Sequence, residues 1–149
     1  MIGLLSKIFG GNKSEKDVKK ITPVIAKINE HFAQYQSLSN DQLRNKTNEF
    51  RSRIKQHLQA IDEQINAQKS EADNLSDLEI TQKDKSYQQI DVLKKERDRQ
   101  IEEVLQQIMP EAFAVIKETS RRFKENAVLE SSVTELDKTL AVKKDYIRI

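Results

Sequence analysis

The sequence predicts an all-α protein: an elongated helical segment built around a long antiparallel, coiled-coil-like helical hairpin, with a short amphipathic helix at its N-terminus. Three observations carry this expectation. Of the 149 residues only 36% are hydrophobic while 34% are charged, and there is no tryptophan, which suits narrow apolar stripes on solvent-bathed helices better than a thick core. Glycine and proline, the residues that most disrupt helices, number 3 and 2. Apolar residues recur at alternating steps of three and four over most of the chain, which is the spacing of one helix face and argues against a disordered chain of the same polarity.

The first element is residues 1–9, MIGLLSKIF. Ile2, Leu5 and Phe9 fall at i, i+3 and i+7, Leu4 and Ile8 lie beside them, Ser6 and Lys7 lie opposite, and Gly10-Gly11 ends the run. A helix of this type lies in a bilayer interface or in a partner's groove. A terminal helix that docks on its own domain, or frays, has the same composition, and the residues alone leave both readings open. The segment is too short for a signal peptide. The domain reading is therefore 1–11 as an amphipathic N-terminal helix and 12–149 as a single helical region.

A second helix is expected from Ser14, where Ser14 and Asp17 approximate a capping box, with the stripe Val18, Ile21, Ile25, Ile28, Phe32, Tyr35. Pro23 should kink it or mark its true start. His31 lies off the stripe and is expected on the solvated surface. Ser39 and Gln42 form a clearer capping box, followed by Leu43, Thr47, Phe50, Ile54, Leu58, Ile61 and Ile65 on one face. Between Lys69 and Lys85 the pattern lapses into Ser, Asp, Asn and Thr, a turn region with a short helical piece at Ser76–Ile80. Tyr87, Ile90, Leu93 or Lys94, Arg97, Ile101, Val104 and Ile108 then lie near a heptad spacing. Two such helices joined by a polar turn fold back into a hairpin, about 39–108, in which Arg97 should snorkel or pair with an acid.

Pro110 is placed at the first position of a new helix, 110–126, with Glu111 favourable to the helix dipole. Ala112, Phe113, Ile116, Ser120 and Phe123 share one side of it, Phe113 and Ile116 reading as core anchors. Arg121, Arg122 and Lys124 read as an ordinary cationic helix ending in preference to a phosphate site. In the tail, 127–149, a last helix is expected from Ser132, boxed with Glu135, through Val133, Leu136 and Leu140, and DYIRI alternates as a strand would.

Chemistry is sparse. The 26 basic and 24 acidic residues are interleaved, which does not favour a nucleic-acid partner. Without cysteine there is no disulfide, thiolate metal site or thiol nucleophile, a usage that suits the cytoplasm. No apolar run reaches the roughly 18 residues a membrane span needs. Gly3, Gly10 and Gly11 cannot make a phosphate loop, and His31 and His57 lack an acidic cluster of metal-ligand spacing. No catalytic, cofactor or metal site is expected in this chain.

Three stretches resemble the SecA family, the motor ATPases that drive preproteins through the bacterial SecY channel: MIGLLSKIFGGNKSEKDVKK (1–20), LSNDQLRNKTNEFRSRI (38–54) and MPEAFAVIKETSRRF (109–123). The last two are similar to the family patterns L-S-D-E-E-L-x-x-K-T-x-E-F-R-x-R and P-E-A-F-A-V-x-R-E-A-S-K-R. The resemblance implies the start of the first nucleotide-binding domain, together with an N-terminal helix that contacts anionic lipid and the SecY-type channel and assists dimerisation. Ile2, Leu4, Leu5, Lys7, Ile8 and Phe9 would be the membrane or partner contacts. Glu49, Phe50 and Arg51, with Pro110, Glu111, Ala112 and Phe113, would be structural supports, none of them catalytic. ATP and Mg are implied for a full-length member, as is the preprotein partner, but no ATPase activity is expected of this chain alone. The implied location is cytoplasmic, peripheral on the inner face of the cell membrane. Residues 55–108 depart from the family form, which has only a short connector there. The family's R-x-F-D-V-Q element and phosphate loop are not found after Phe123, so residues 124–149 read as another insertion or as the point where a longer protein is cut. The competing reading is a free-standing coiled-coil scaffold or oligomerisation module.

Overall fold

The structure, a computed structural model, describes residues 12–76 and 80–146. Four helices follow one another: α1 (Asn12–Tyr35), α2 (Asn40–Asn74), α3 (Ile80–Glu125) and α4 (Glu135–Lys143), and the described residues include no strand. The all-α expectation is met. The expected N-terminal helix, with Ile2, Leu4, Leu5, Lys7, Ile8 and Phe9, lies outside the described residues.

The hairpin is antiparallel and long. From Asn40 through Arg53 to Asp62 in α2, the paired residues descend α3 from Arg122 through Glu111 to Arg97. At 1.5 Å per residue the 46 residues of α3 extend about 70 Å. Its distal half is a two-helix seam in which Leu58, Ile61 and Ile65 pack with Ile54, Leu93 and Ile101. Arg97 interrupts that seam and, as expected, meets an acid, with Nε 2.5 Å from Asp62 Oδ1. At the base α1 packs on α3, giving three helices around Tyr35, Leu43 and Ala114, with Ile28, Phe32, Leu38 and Val115 against them.

Helix ends follow local chemistry where the chain is exposed. The Ser39 box forms: Gln42 N–H donates to Ser39 Oγ at 3.1 Å, and Ser39 N–H to Gln42 Oε1 at 2.8 Å. The last helix starts later than expected, because Thr134 and Asp137 supply its box instead of Ser132 and Glu135. Ser132 is held elsewhere, by Asp41. Residues 144–146 form no strand.

Three further expectations are corrected. α1 begins at Asn12, so Ser14 is inside the helix, and Pro23 neither starts nor interrupts it. Pro23 deprives the Lys19 carbonyl of its donor on an exposed turn, where water can satisfy it. The turn region expected at 69–85 is helical at 69–74, where the fully buried Ala72 lies, and again from Ile80 onward; most of the short helical piece expected at Ser76–Ile80 lies outside the described residues. Pro110 does not begin a helix: α3 runs through it unbroken. Here the freed carbonyl belongs to exposed Gln106, while burial of Ile108, Pro110 and Ala114 holds both flanking turns in place.

The packed face of the last third of α3 also differs from expectation. Phe113 and Ile116, read as core anchors, are 52% and 61% exposed. The face against α1 and α2 carries Ala114, Glu118 and Arg122, at i, i+4 and i+8. A small residue permits close helix approach, and the end of α1 requires hydrogen-bond donors, so the less apolar face is the buried one.

Candidate functional site

The densest polar constellation lies where α1 ends, α2 begins and α3 passes behind both. The last turn of α1 carries no basic residue of its own to offset its terminal carbonyls. Arg122 of α3 supplies that cation. Its Nη2 donates to the carbonyls of Tyr35 at 3.2 Å and Leu38 at 2.7 Å, and its Nη1 to Asn40 Oδ1 at 2.6 Å. Its Nε donates at 2.7 Å to the fully buried Glu118. Arg121 grips the same carboxylate through Nε at 2.8 Å and Nη2 at 2.7 Å, and pairs with Glu125 through Nη1. Hydrogen bonding from Arg121, helped by Arg122 and opposed by burial, holds the Glu118 carboxyl below its usual range. A buried charge so satisfied locks three elements together.

About two turns away along α3, Glu111 joins two of the three stretches that carry the family resemblance. Its Oε1 accepts from Arg53 Nη1 at 2.5 Å and its Oε2 from the Tyr35 hydroxyl at 3.2 Å. Burial, followed by the charge of Glu111, pushes the Tyr35 phenol up to about 12. His31, expected on open surface, is half-buried with its ring centroid 6.0 Å from that of Tyr35. Of the other motif residues, Glu49 is exposed and pairs with Lys46 at 2.6 Å, Phe50 and Ala112 are half-buried, Pro110 is buried, and Arg51 and Phe113 are exposed.

Arg51 lines an open cleft of about 660 Å³ between the first turns of α2 and residues 132–136. Here Arg44 donates to the Ser132 carbonyl at 3.3 Å and to Thr134 Oγ1 at 3.2 Å, and reaches Asp137 Oδ1 at 2.6 Å. Asp41 accepts from Ser132 N–H at 2.8 Å and Oγ at 2.6 Å. These groups bind one another and tie the C-terminal segment to α2. Among the described residues no group of His, Asp or Glu could hold a metal, and no helix is long and apolar enough to cross a membrane.

The tie has a pH dependence. Arg44 and the α4 cap hold the Asp137 carboxyl well below its ordinary 3.8, and hydrogen bonds from Ser132 lower Asp41. Such carboxylates bind fewer protons folded than unfolded, so their stabilisation is complete above the ordinary value and is lost as pH falls through the folded ones. Hydrogen exchange at α4 amides should therefore accelerate, relative to the intrinsic rate, as pH is lowered below about 4, before α2 and α3 respond.

Sequence reasoning did not identify Arg122, Glu118, Tyr35 and Arg53 as site residues. Tyr35 was legible only as part of an apolar stripe, Arg53 only within the family pattern and Arg122 only as one of a basic group, while the i, i+4 spacing of Glu118 and Arg122 was the local signal for their pair.

Comparison with known proteins places these features. The family model of the SecA DEAD-like domain matches residues 5–62. The protein translocase subunit SecA of Cytophaga hutchinsonii is 40% identical over 149 residues, all of this chain and 13% of that protein. SecA of Flavobacterium psychrophilum is 43% identical over 148 residues (99% and 13%), and SecA of Christiangramia forsetii 39% over 143 (96% and 13%). The chain thus spans about an eighth of the length of these relatives, and their similarity continues beyond residue 62, where the family model's match ends. No solved structure matches.

Proposed function

The chain belongs to the SecA family, as the counterpart of its N-terminal segment, and from that premise we propose that it forms the leading part of a protein-export motor. In this reading it contributes membrane and SecY-channel contact and the start of the first nucleotide-binding domain. It works on the cytoplasmic face and has no ATPase activity of its own. ATP and Mg, the preprotein and a dimer partner belong to the whole motor. The observation that carries the reading is the 40% identity with a SecA translocase subunit along all 149 residues.

Packing supports it. Phe113, Ile116 and Phe123 project from α3 into solvent, away from the face that holds α1 and α2. A row of large apolar side chains at helical spacing suits burial under further polypeptide, such as the remainder of a nucleotide-binding domain. The membrane contribution is assigned to Ile2, Leu4, Leu5, Ile8 and Phe9, with Lys7 beside the headgroups. Complete burial of three or four such side chains stabilises by about 1.5–3 kcal/mol each, a reversible anchor.

Sedimentation with vesicles containing anionic lipid tests the reading. Deleting residues 2–9 should reduce binding at least about tenfold, the equivalent of about 1.4 kcal/mol and well within that burial energy. The full chain should release no phosphate from ATP above the buffer rate. Vesicle binding unchanged by the deletion would overturn the membrane assignment, and measurable turnover of ATP would overturn the division of labour.

A further inference from the structure

Seven arginines lie among the described residues, and six of them pair with an acid. Arg44 pairs with Asp137, Arg53 with Glu111, Arg97 with Asp62, Arg99 with Glu96, and Arg121 and Arg122 both with Glu118. Among the described residues Arg51 alone has no acid. It is exposed and lines the cleft of about 660 Å³ beside residues 132–136. Two asparagines line the same cleft. Asn48 Nδ2 donates to Asn45 Oδ1 at 3.0 Å, which turns the donor end of Asn45 and the acceptor end of Asn48 to other partners. A peptide main chain offers the complementary pair of groups.

The chain itself shows what this face of α2 binds. Residues 130–137 lie against its first turns, with the Glu130 carbonyl on Asn40 Nδ2 at 2.7 Å and the Ser132 N–H on Asp41 at 2.8 Å. The Ser132 carbonyl and the Asp137 carboxylate both take Arg44. Main-chain groups thus meet short polar side chains, and an acid meets an arginine. Asn48 and Arg51 follow Arg44 at i+4 and i+7, so the next two turns of the same face repeat these kinds of group, with Arg51 about 10.5 Å beyond Arg44. We propose that the cleft is a docking site for an extended segment of a separate polypeptide, whose acidic side chain pairs with Arg51 and whose main chain meets Asn45 and Asn48. The proposal rests on these side chains and not on the export reading above.

Charge decides the partner. The two acids that line the cleft are already engaged, Asp41 with Ser132 and Glu135 with Lys138. Outside the described residues the only acidic side chains are Asp77 and Glu79, and by Asn74 α2 has carried the chain about 35 Å from Arg51. The carboxylate therefore comes from another polypeptide. A guanidinium holds it through two parallel hydrogen bonds, a geometry that an ammonium lacks. Leu136, 62% exposed on the opposite wall, adds an apolar contact for a neighbouring side chain of the guest. Because Arg51 is exposed, the pair is screened by salt and the docking is weak and reversible, with a Kd on the order of 0.1–1 mM.

The probe is a blocked heptapeptide, Thr-Ser-Leu-Asp-Ser-Leu-Thr, titrated into the full chain while NMR follows the side-chain amides of Asn45 and Asn48. Both should shift and saturate together. Arg51→Gln should weaken binding about fivefold, as should asparagine in place of the peptide's aspartate. Arg51→Lys should recover part of the loss, and Lys16→Gln, which removes an exposed cation from α1, should change nothing. The urea midpoint of Arg51→Gln should equal that of the unaltered chain, since the side chain is exposed and unpaired; a lowered midpoint would make Arg51 a support of the fold and overturn the docking role. Equal binding by Arg51→Gln or by the asparagine peptide would overturn the proposal, as would the absence of any shift. Inorganic phosphate that displaces the peptide at equal concentration would reduce the cleft to a free-anion site. A dimer in sedimentation equilibrium that Arg51→Gln dissolves would assign the face to a second copy. Binding to this chain that is lost in the whole motor would assign it to the motor's own remainder, and either assignment would overturn a separate partner.

Discussion

Arg122→Met is expected to lower the unfolding free energy by about 3 kcal/mol and the melting temperature by about 10 °C. Arg122 is only 8% exposed and donates to four acceptors on three elements. Methionine retains the packed stem but leaves the Leu38 carbonyl without the Arg122 donor, leaves the Tyr35 carbonyl with the Leu38 N–H alone, and removes one of two cations from the fully buried Glu118. Arg121 remains on that carboxylate, which keeps the expected cost at the lower end for a broken buried pair. Arg122→Lys should recover part of the loss, because an ammonium restores the charge but not the guanidinium fork. The neighbouring Phe123→Ser provides the contrast: that side chain is exposed, and the change should stay within about 0.5 kcal/mol. Urea titration followed by helix content measures all three. Equal midpoints for the Arg122 and Phe123 variants would show that the junction does not hold the base together.

Ala114→Leu should cost about 2–3 kcal/mol, nearly as much, although it adds apolar surface. Ala114 is completely buried in the cluster with Tyr35 and Leu43, and its lack of a side chain beyond Cβ lets the helices approach there. Three further carbons must displace Tyr35 or Leu43, or separate α1 from α3, and a close-packed interior does not absorb them. Displacing Tyr35 would also break its bond to Glu111, so the damage should reach the Arg53 pair. The denaturant midpoint checks the magnitude, and a fall in the pKa of the Tyr35 phenol, followed by ultraviolet titration, checks the route. Unchanged values of both would mean that the junction has room to spare.

Much of the architecture was legible in the residues. The stripes Leu43–Ile65 and Ile90–Ile108 are the two sides of the observed seam, since a helix face repeats every three or four residues whatever surrounds it. The Ser39–Gln42 box was legible for a similar reason: a cap is satisfied within four residues. The same logic paired Arg97 with an acid, because a charge on a seam must find one. At Pro110 local reasoning failed, as the cost of one lost hydrogen bond was set against burial that depends on a partner helix. Thr134 displaced Ser132 as the last cap because Asp41, more than ninety residues earlier, holds Ser132.

By itself the sequence determined the helical class, the antiparallel hairpin and the family resemblance, all of which rest on short-range periodicity or on ordered runs of residues. Tertiary structure alone decided which face of the last third of α3 is inside. Hydrophobicity marks Phe113, Ile116 and Phe123, but the place beside α1 is taken by Ala114, Glu118 and Arg122. A helix C-terminus exposes carbonyls that need donors, and three helices meeting at one level need a small residue between them. Both requirements arise only when segments about eighty residues apart in sequence are brought together, so no local pattern encodes them.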